Sequence, residues 1–240
     1  MKKFVISLPS TPDRLQAFYR ENFRTKFEHF SAIAGAEVPK SDYARYIDDS
    51  IVYRPGALGN ALSHQALWDY SIRCDEPVLI CEDDARLHLE FDRLSHGVLS
   101  QIGDDWDFIA WGWNFDSILQ IELPAGLGRS LLSFDENSLR RNYQGYLASR
   151  IRPEFYRLSQ MFGSVCYSIS PRGAAFFLSR TRPISRREVF ILGLRRKLLN
   201  VALDITMNEF YKDAMSFVCF PPLCITENLR EFSTVESRTS

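Results

Sequence analysis

No stretch of the 240-residue chain approaches the ~18–20 consecutive apolar residues that a membrane-crossing helix needs. Cysteine is scarce and odd in number. Cys74, Cys81, Cys166, Cys219 and Cys224 form no Cys-x-x-Cys pair, which argues against a zinc ribbon and against a disulfide framework. Buried thiols in a reducing compartment, with the cytoplasm as location, are the expectation. Neither sign of charge dominates: 29 basic residues stand against 30 acidic ones. The chain therefore lacks the basic surplus of a dedicated nucleic-acid binder, and no nucleic-acid partner is expected. There is no Gly-x-Ser-x-Gly elbow, no His-Glu-x-x-His zinc motif, no Walker A loop and no dinucleotide fingerprint. Repeats, low-complexity tracts and linkers are absent too, so a single domain over 1–240 is expected. At the N-terminus, two lysines precede a short apolar stretch that meets Pro9, which reads as a first strand rather than a signal peptide.

What is present suits a globular α/β protein. Hydrophobic residues make up 45% of the chain, enough for a sizeable core. Phe4–Leu8 is a β-forming run. Ser10-Thr11-Pro12-Asp13 is a helix start, with the helix reaching about Arg24, and Phe27–Ile33 alternates as a second strand. Strand, helix and strand in about 30 residues make a βαβ opening. Gly35 marks a turn, and a helix follows from about Leu58 to Cys74. Pro77–Cys81 reads as a central strand buried on both faces. Phe108–Trp113, Phe162–Ser168 and Ser216–Phe220 are further strands, and Ser170-Pro171 opens another helix. Residues 117–160 read as loops with one or two short helices, Arg186–Asn200 and Asp204–Lys212 as helices, and the tail after Glu231 as frayed.

Two segments point to chemistry. The strand ending at Cys81 runs into Glu82-Asp83-Asp84. Three adjacent carboxylates repel one another unless they face solvent or a cation, and ligands of open α/β sheets bind at the carboxyl ends of strands. Mg²⁺ and Mn²⁺ take carboxylate oxygens and complete their shells with phosphate and water; an acidic surface turn is the alternative. The second segment is Gly56-Ala57-Leu58-Gly59-Asn60-Ala61-Leu62-Ser63-His64. Glycines at a helix start let backbone approach a ligand, and a helix N-terminus favours phosphate. His64 is a candidate phosphate donor or a satisfied structural histidine. Arg14 is a candidate diphosphate contact or a surface ion pair.

Taken together and in order, several segments resemble glycosyltransferase family 25, the lipopolysaccharide-type β-glycosyltransferases. Val5-Ile6-Ser7-Leu8 with Arg14 is similar to the family's first strand and the Asp-Arg after it. Phe30-Ser31-Ala32-Ile33-Ala34-Gly35 is similar to its Phe…Ala-Ile-x-Gly segment. The run from Gly56 to His64, followed by Leu67-Trp68, resembles its Gly-x-x-Gly-Cys-x-x-Ser-His helix, with Asn60 in place of Cys. Val78–Ala85 resembles its strand plus Glu-Asp-Asp. Tyr167-Ser168-Ile169-Ser170-Pro171-Arg172-Gly173-Ala174 resembles its Tyr-x-x-Ser-Pro-x-Gly-Ala element. Pro221-Pro222-Leu223-Cys224-Ile225 resembles its closing strand, with Thr226 where the family often has Gln.

The resemblance implies a GT-A-like fold, a mixed Rossmann-like sheet flanked by helices, to which the sequence adds a helical C-terminal annex. It divides the chain into a nucleotide-sugar half, about 1–115, and an acceptor half, about 116–240. It implies an inverting transfer of a hexose, most often galactose, from a UDP-sugar to a lipooligosaccharide or related glycan. Donor contacts are then expected from Leu8, Pro9, Ser10, Arg14, Ala34, Gly35, Gly56, Asn60, Ser63, His64, Glu82 and Asp83. Asp84, with Glu82, is the expected holder of Mn²⁺ or Mg²⁺, and Glu82 or Asp83 reaches ribose or sugar hydroxyls. Displacement needs a general base, for which Asp204 and Asp116 are candidates, Asp204 favoured for its apolar neighbours. Asp204 also suits a helix first turn and Asp116 a loop. Trp111 and Trp113 suit sugar stacking or strand packing. A non-catalytic sugar- or nucleotide-binding relative and a carboxylate-based glycoside hydrolase are the other readings.

Charge is unevenly distributed. Residues 1–120 hold 12 basic and 19 acidic residues, whereas residues 121–240 hold 17 and 11. Arg180, Arg182, Arg186, Arg187, Arg195, Arg196 and Lys197 interleave with apolar residues from Val189 to Leu199. On a helix this pattern predicts docking at an anionic membrane surface, at the inner face of the cytoplasmic membrane, or a helix with its apolar face on the core.

Overall fold

The computed structural model describes residues 1–226; the tail after Glu231 lies outside them. The chain order is β1 (Lys2–Ser7), α1 (Pro12–Glu21), β2 (Glu28–Ser31), α2 (Tyr43–Tyr46), α3 (Pro55–Cys74), β3 (Val78–Glu82), β4 (Ala85–Leu87), α4 (Phe91–Ile102), β5 (Phe108–Gly112), β6 (Ile118–Leu123), β7 (Gly128–Ser133), α5 (Glu136–Leu147), β8 (Glu154–Met161), β9 (Cys166–Ile169), α6 (Pro171–Thr181), β10 (Glu188–Ile191), β11 (Arg196–Leu199), α7 (Leu203–Met207), β12 (Ser216–Phe220) and β13 (Cys224–Thr226). Nine strands form one mixed sheet in the order β2-β1-β3-β9-β5-β12-β8-β6-β7. β1 runs parallel to β2 and β3, and β9 lies antiparallel between β3 and β5. This large mixed sheet with flanking helices is the architecture expected of a GT-A-like fold.

The pleat explains the central strands. Phe4, Ile6, Val78, Ile80, Phe108 and Ala110 enter one core, with Leu58, Leu62 and Trp68 of α3 and Phe177 of α6. Val5, Leu79, Cys81, Ile109 and Trp111 enter the other, with Phe18 of α1 and Phe91 and Val98 of α4. Because side chains alternate with period two, a strand covered on both faces reads as one apolar run. α6 opens as expected: the Ser170 hydroxyl accepts the Gly173 N–H at 3.0 Å, with Pro171 in the first helical position. α1 stops at Glu21, short of Arg24. The Asn22 side-chain amide donates to Phe18 O and Ala85 O, each at 2.9 Å, and its oxygen accepts Leu87 N–H at 2.8 Å.

Three expectations are corrected. Residues 117–160 supply β6, β7 and β8 as well as α5. Ile118 to Ile121 are all buried, and β7 is an exposed edge, so neither strand shows a clean alternation. The strand expected from Phe162 begins at Cys166. The four residues before it form a loop in which Gly163 sits at φ +83, open to glycine without steric cost. Most consequentially, Arg186–Asn200 is the antiparallel hairpin β10–β11, not a helix. Val189 and Ile191 are buried while Phe190 is exposed, a period of two, and Arg195 takes a left-handed φ of 50 in the turn. The helical annex reduces to this hairpin, the five-residue α7 and a 3₁₀ turn at Tyr211–Asp213. Among the described residues, no helix is long and apolar enough to cross a membrane. The described cysteines are free thiols, all buried except Cys74.

Candidate active site at the strand ends

The acid triplet stands where β3 ends, beside β1, with Ile6 paired to Glu82. Its three carboxylates have three different environments. Glu82 Oε1 accepts from Asn60 Nδ2 at 3.1 Å, His64 Nε2 at 3.2 Å and Ser164 Oγ at 3.0 Å. Burial pushes this carboxyl up, but the His64 contact, with Asn60 and Ser164, outweighs it and holds Glu82 below the usual carboxylate range. All three bonds fall on one oxygen of a side chain that is 26% exposed. Asp83 accepts from Ser7 Oγ at 2.7 Å and from Arg14 Nε at 2.9 Å, and Arg14 adds a second guanidinium contact. Asp84 Oδ2 accepts from Thr226 Oγ1 at 3.1 Å, while Oδ1 is buried and has no hydrogen-bond partner among the described residues. Burial first, then the charge of Glu82, pushes the Asp84 carboxyl up to about 6.

Behind Glu82 lies a closed relay. The Trp68 indole, which can only donate, reaches the Tyr167 hydroxyl at 2.8 Å, and that hydroxyl is 2.8 Å from His64 Nδ1. Tyr167 therefore accepts from Trp68 and donates to His64, which leaves the His64 Nε2 proton for Glu82. Tyr167→Phe strands the Trp68 donor and the His64 acceptor in the core. A loss of roughly 1–3 kcal/mol in unfolding free energy is expected, read from denaturant midpoints. An unchanged midpoint would remove the relay from the account.

Ser63 and His64 are fully buried. The Ser63 hydroxyl accepts Ile33 N–H at 2.8 Å and donates to Gly59 O at 2.7 Å. Neither presents a polar atom to a ligand; they hold Ile33, Gly59, Tyr167 and Glu82 in place. The glycines have a packing role as well. A Cβ on Gly35 would stand 1.9 Å from Pro55 O, and one on Gly59 would stand 2.3 Å from Ile33 O. The backbone they admit is the chain after β2, closed against the first turns of α3. Gly56 lies in the first turn of that helix, half-buried.

Leu8, Pro9, Ser10 and Ala34 do line a cavity, of about 760 Å³, at the carboxyl ends of β1 and β2. Glu82, Asp83 and Asp84 do not line it; the chain links it to them through Ser7, which holds Asp83 and precedes Leu8. The cavity is also lined by Tyr46, Arg45, Asp69 and Arg182. Arg182 is fixed there by Asp69 at 3.0 Å and Gln65 at 3.2 Å. Arg182 stood out only as a member of the basic segment, and Arg45, Tyr46 and Asp69 carry no local signature, because the lining is assembled from elements far apart in the chain.

Asp204 enters from α7. Its Oδ2 accepts Gly163 N–H at 2.8 Å and its Oδ1 accepts Ile205 N–H at 2.9 Å. Burial, opposed by those two donors and assisted by the charge of Glu82, raises its carboxyl above the ordinary aspartate value. The loop before β9 thus touches both acids, Ser164 on Glu82 and Gly163 on Asp204. Ser164 escaped the sequence reading because a serine in an unpatterned loop has no signature. Asp116 is exposed in the turn before β6. Trp111 and Trp113 are fully buried, so they pack as strand aromatics and offer no sugar platform.

The chain belongs to glycosyltransferase family 25 (LPS biosynthesis protein), whose model matches residues 1–192. It is thus a transferase of a family that moves sugar from a donor to a glycan acceptor. No curated protein sequence matches it. Among solved structures it is similar to one titled "Crystal Structure of A197 from STIV", at 11% identity over 91% of this chain and 81% of that one, with a TM-score of 0.41.

Proposed function

We propose that the protein is an inverting, UDP-sugar-dependent hexosyltransferase that passes a hexose, galactose first among the candidates, to a lipooligosaccharide or related glycan. The observation that carries this reading is the cavity's link, through Ser7, to the three differentiated carboxylates. A pocket of this size suits a nucleoside. The diphosphate then runs past the end of β3, and Glu82 Oε2 accepts a hydroxyl of the donor. The acceptor hydroxyl attacks the anomeric carbon as the bond to the diphosphate oxygen breaks. Asp204 takes the hydroxyl proton, and the leaving group departs as UDP.

The unpartnered, buried Asp84 oxygen suits a divalent cation. Among the described residues no three His, Cys, Asp or Glu side chains converge to hold a metal on their own. Mn²⁺ or Mg²⁺ would therefore share Asp84, and on occasion Glu82, with diphosphate oxygens and water. When bound, the ion supplies Lewis-acid stabilisation to the departing diphosphate. Raised protonation of Asp84 without a cation fits the same reading, since a nearby positive charge favours the carboxylate.

Calorimetric titration with UDP, UDP-galactose and UDP-glucose, with and without Mn²⁺, tests this reading. Saturable binding that tightens with Mn²⁺ is expected for UDP and for at least one of the sugars. Absence of binding by all three would overturn the donor assignment.

A further inference from the structure

We propose that the β10–β11 hairpin and the adjoining edge of β7 form a docking surface for an anionic lipid bilayer. The surface is built of exposed apolar side chains next to unneutralised cations. Phe190 is 51% exposed, Leu192 40% and Val201 47%, and Leu131 of β7, at 51%, lies against the hairpin turn. A Cβ on Gly193 would stand 2.6 Å from Leu131 Cδ1, so Leu131 adjoins the hairpin turn that carries Leu192. Scattered exposed apolar residues are ordinary; a contiguous group marks an interaction surface.

The cations select the partner. Arg195 and Arg196 are exposed and make no ion pair among the described residues. The nearby acids are already taken: Glu188 by Lys197 at 3.5 Å and Glu209 by Arg187 at 3.2 Å. Phe190 and Lys197 are cross-strand partners and so share one face, an aromatic ring beside a long cationic stem. Apolar groups flanked by free arginines suit the boundary between headgroups and acyl chains. The acidic surplus of residues 1–120 opposes any approach of that half to an anionic surface.

The hairpin is also anchored rigidly enough to transmit a position. Gln160 of β8 donates to Phe190 O and accepts Leu192 N–H, both at 2.9 Å. Asn200 clamps its base through Arg187 N–H at 2.9 Å and Ser185 O at 2.8 Å. Asp204 follows four residues later. If the glycosyltransfer reading holds, on which this last step rests, docking brings the acid α7 presents to an acceptor carried in the membrane.

Flotation with vesicles tests the surface without any sugar substrate. Equal parts phosphatidylglycerol and phosphatidylcholine should retain the protein at low salt, and phosphatidylcholine alone should not. Arg195→Gly with Arg196→Ser should weaken retention about 30-fold, the equivalent of about 1 kcal/mol per charge removed. Glycine suits the left-handed turn at Arg195, so this variant keeps the hairpin. Phe190→Ser with Leu192→Ser should also release the protein. Donor binding and turnover in solution should be unchanged in both variants, which shows that the fold is intact. Retention that ignores lipid charge or both variants would overturn the proposal. So would light scattering showing a dimer that these substitutions disrupt, which would assign the patch to a second copy. Failure of donor turnover in the wild type would remove the transferase reading and leave the vesicle result standing.

Discussion

Replacing Asp204 by Asn should lower kcat by roughly 10²-fold or more, the range in which general-base removal falls, with the donor's KM little changed. The amide is close in size and keeps an acceptor oxygen, so the Gly163 or Ile205 N–H is still met and the loop stays near its place. What is lost is the ability to take a proton. The pH profile separates this from a structural effect. Burial raises the Asp204 carboxyl, and the base works only when ionised. Wild-type activity should therefore rise with pH through a value above the ordinary aspartate range, and that limb should disappear in Asp204→Asn. A wild-type rate in this variant, together with an inactive Asp116→Asn, would move the role to Asp116.

Asp84→Asn should abolish transfer and weaken UDP binding only when Mn²⁺ or Mg²⁺ is present. The oxygen without a partner on Asp84 is the group that a cation would engage, and an amide ligates a hard cation far less well. Thr226 still has an oxygen to donate to, so folding should survive, and metal-free UDP affinity is the control. Near-wild-type turnover in Asp84→Asn would remove the metal from the account. Loss of metal-free binding as well would assign Asp84 to the shape of the pocket.

The parts of this molecule that could be read from the chain are those that local chemistry decides. Val78–Cys81 is buried on both sheet faces and ends in charge, so strand and strand end both show as a run and a break. Ser170-Pro171 carries its cap in two residues. The hairpin could not be read this way. Val189, Ile191, Leu194 and Leu198 suit a helical stripe as well as a strand. Gln160, 30 and 32 residues away from the groups it holds, is part of what settles the matter, together with the fit of Gly193 against Leu131. The same divide runs through the site. The triplet is visible as three letters, but the difference among its members is made by Arg14, Ser164 and Thr226, which lie 69, 82 and 142 residues from the acids they meet. His64 was visible as a motif member, while its role became clear only when both ring nitrogens proved to be engaged inside the core.

The proposed transfer breaks the bond between a hexose and a nucleoside diphosphate with inversion. Proton NMR of UDP-galactose incubated with the protein and Mn²⁺, without acceptor, tests it most directly, because water then takes the acceptor's place. Slow release of UDP with β-galactose as the first anomer to appear is the predicted result. Release of α-galactose first would contradict inversion, and intact UDP-galactose, UDP-glucose and related UDP-hexoses after prolonged incubation would contradict the transferase assignment itself.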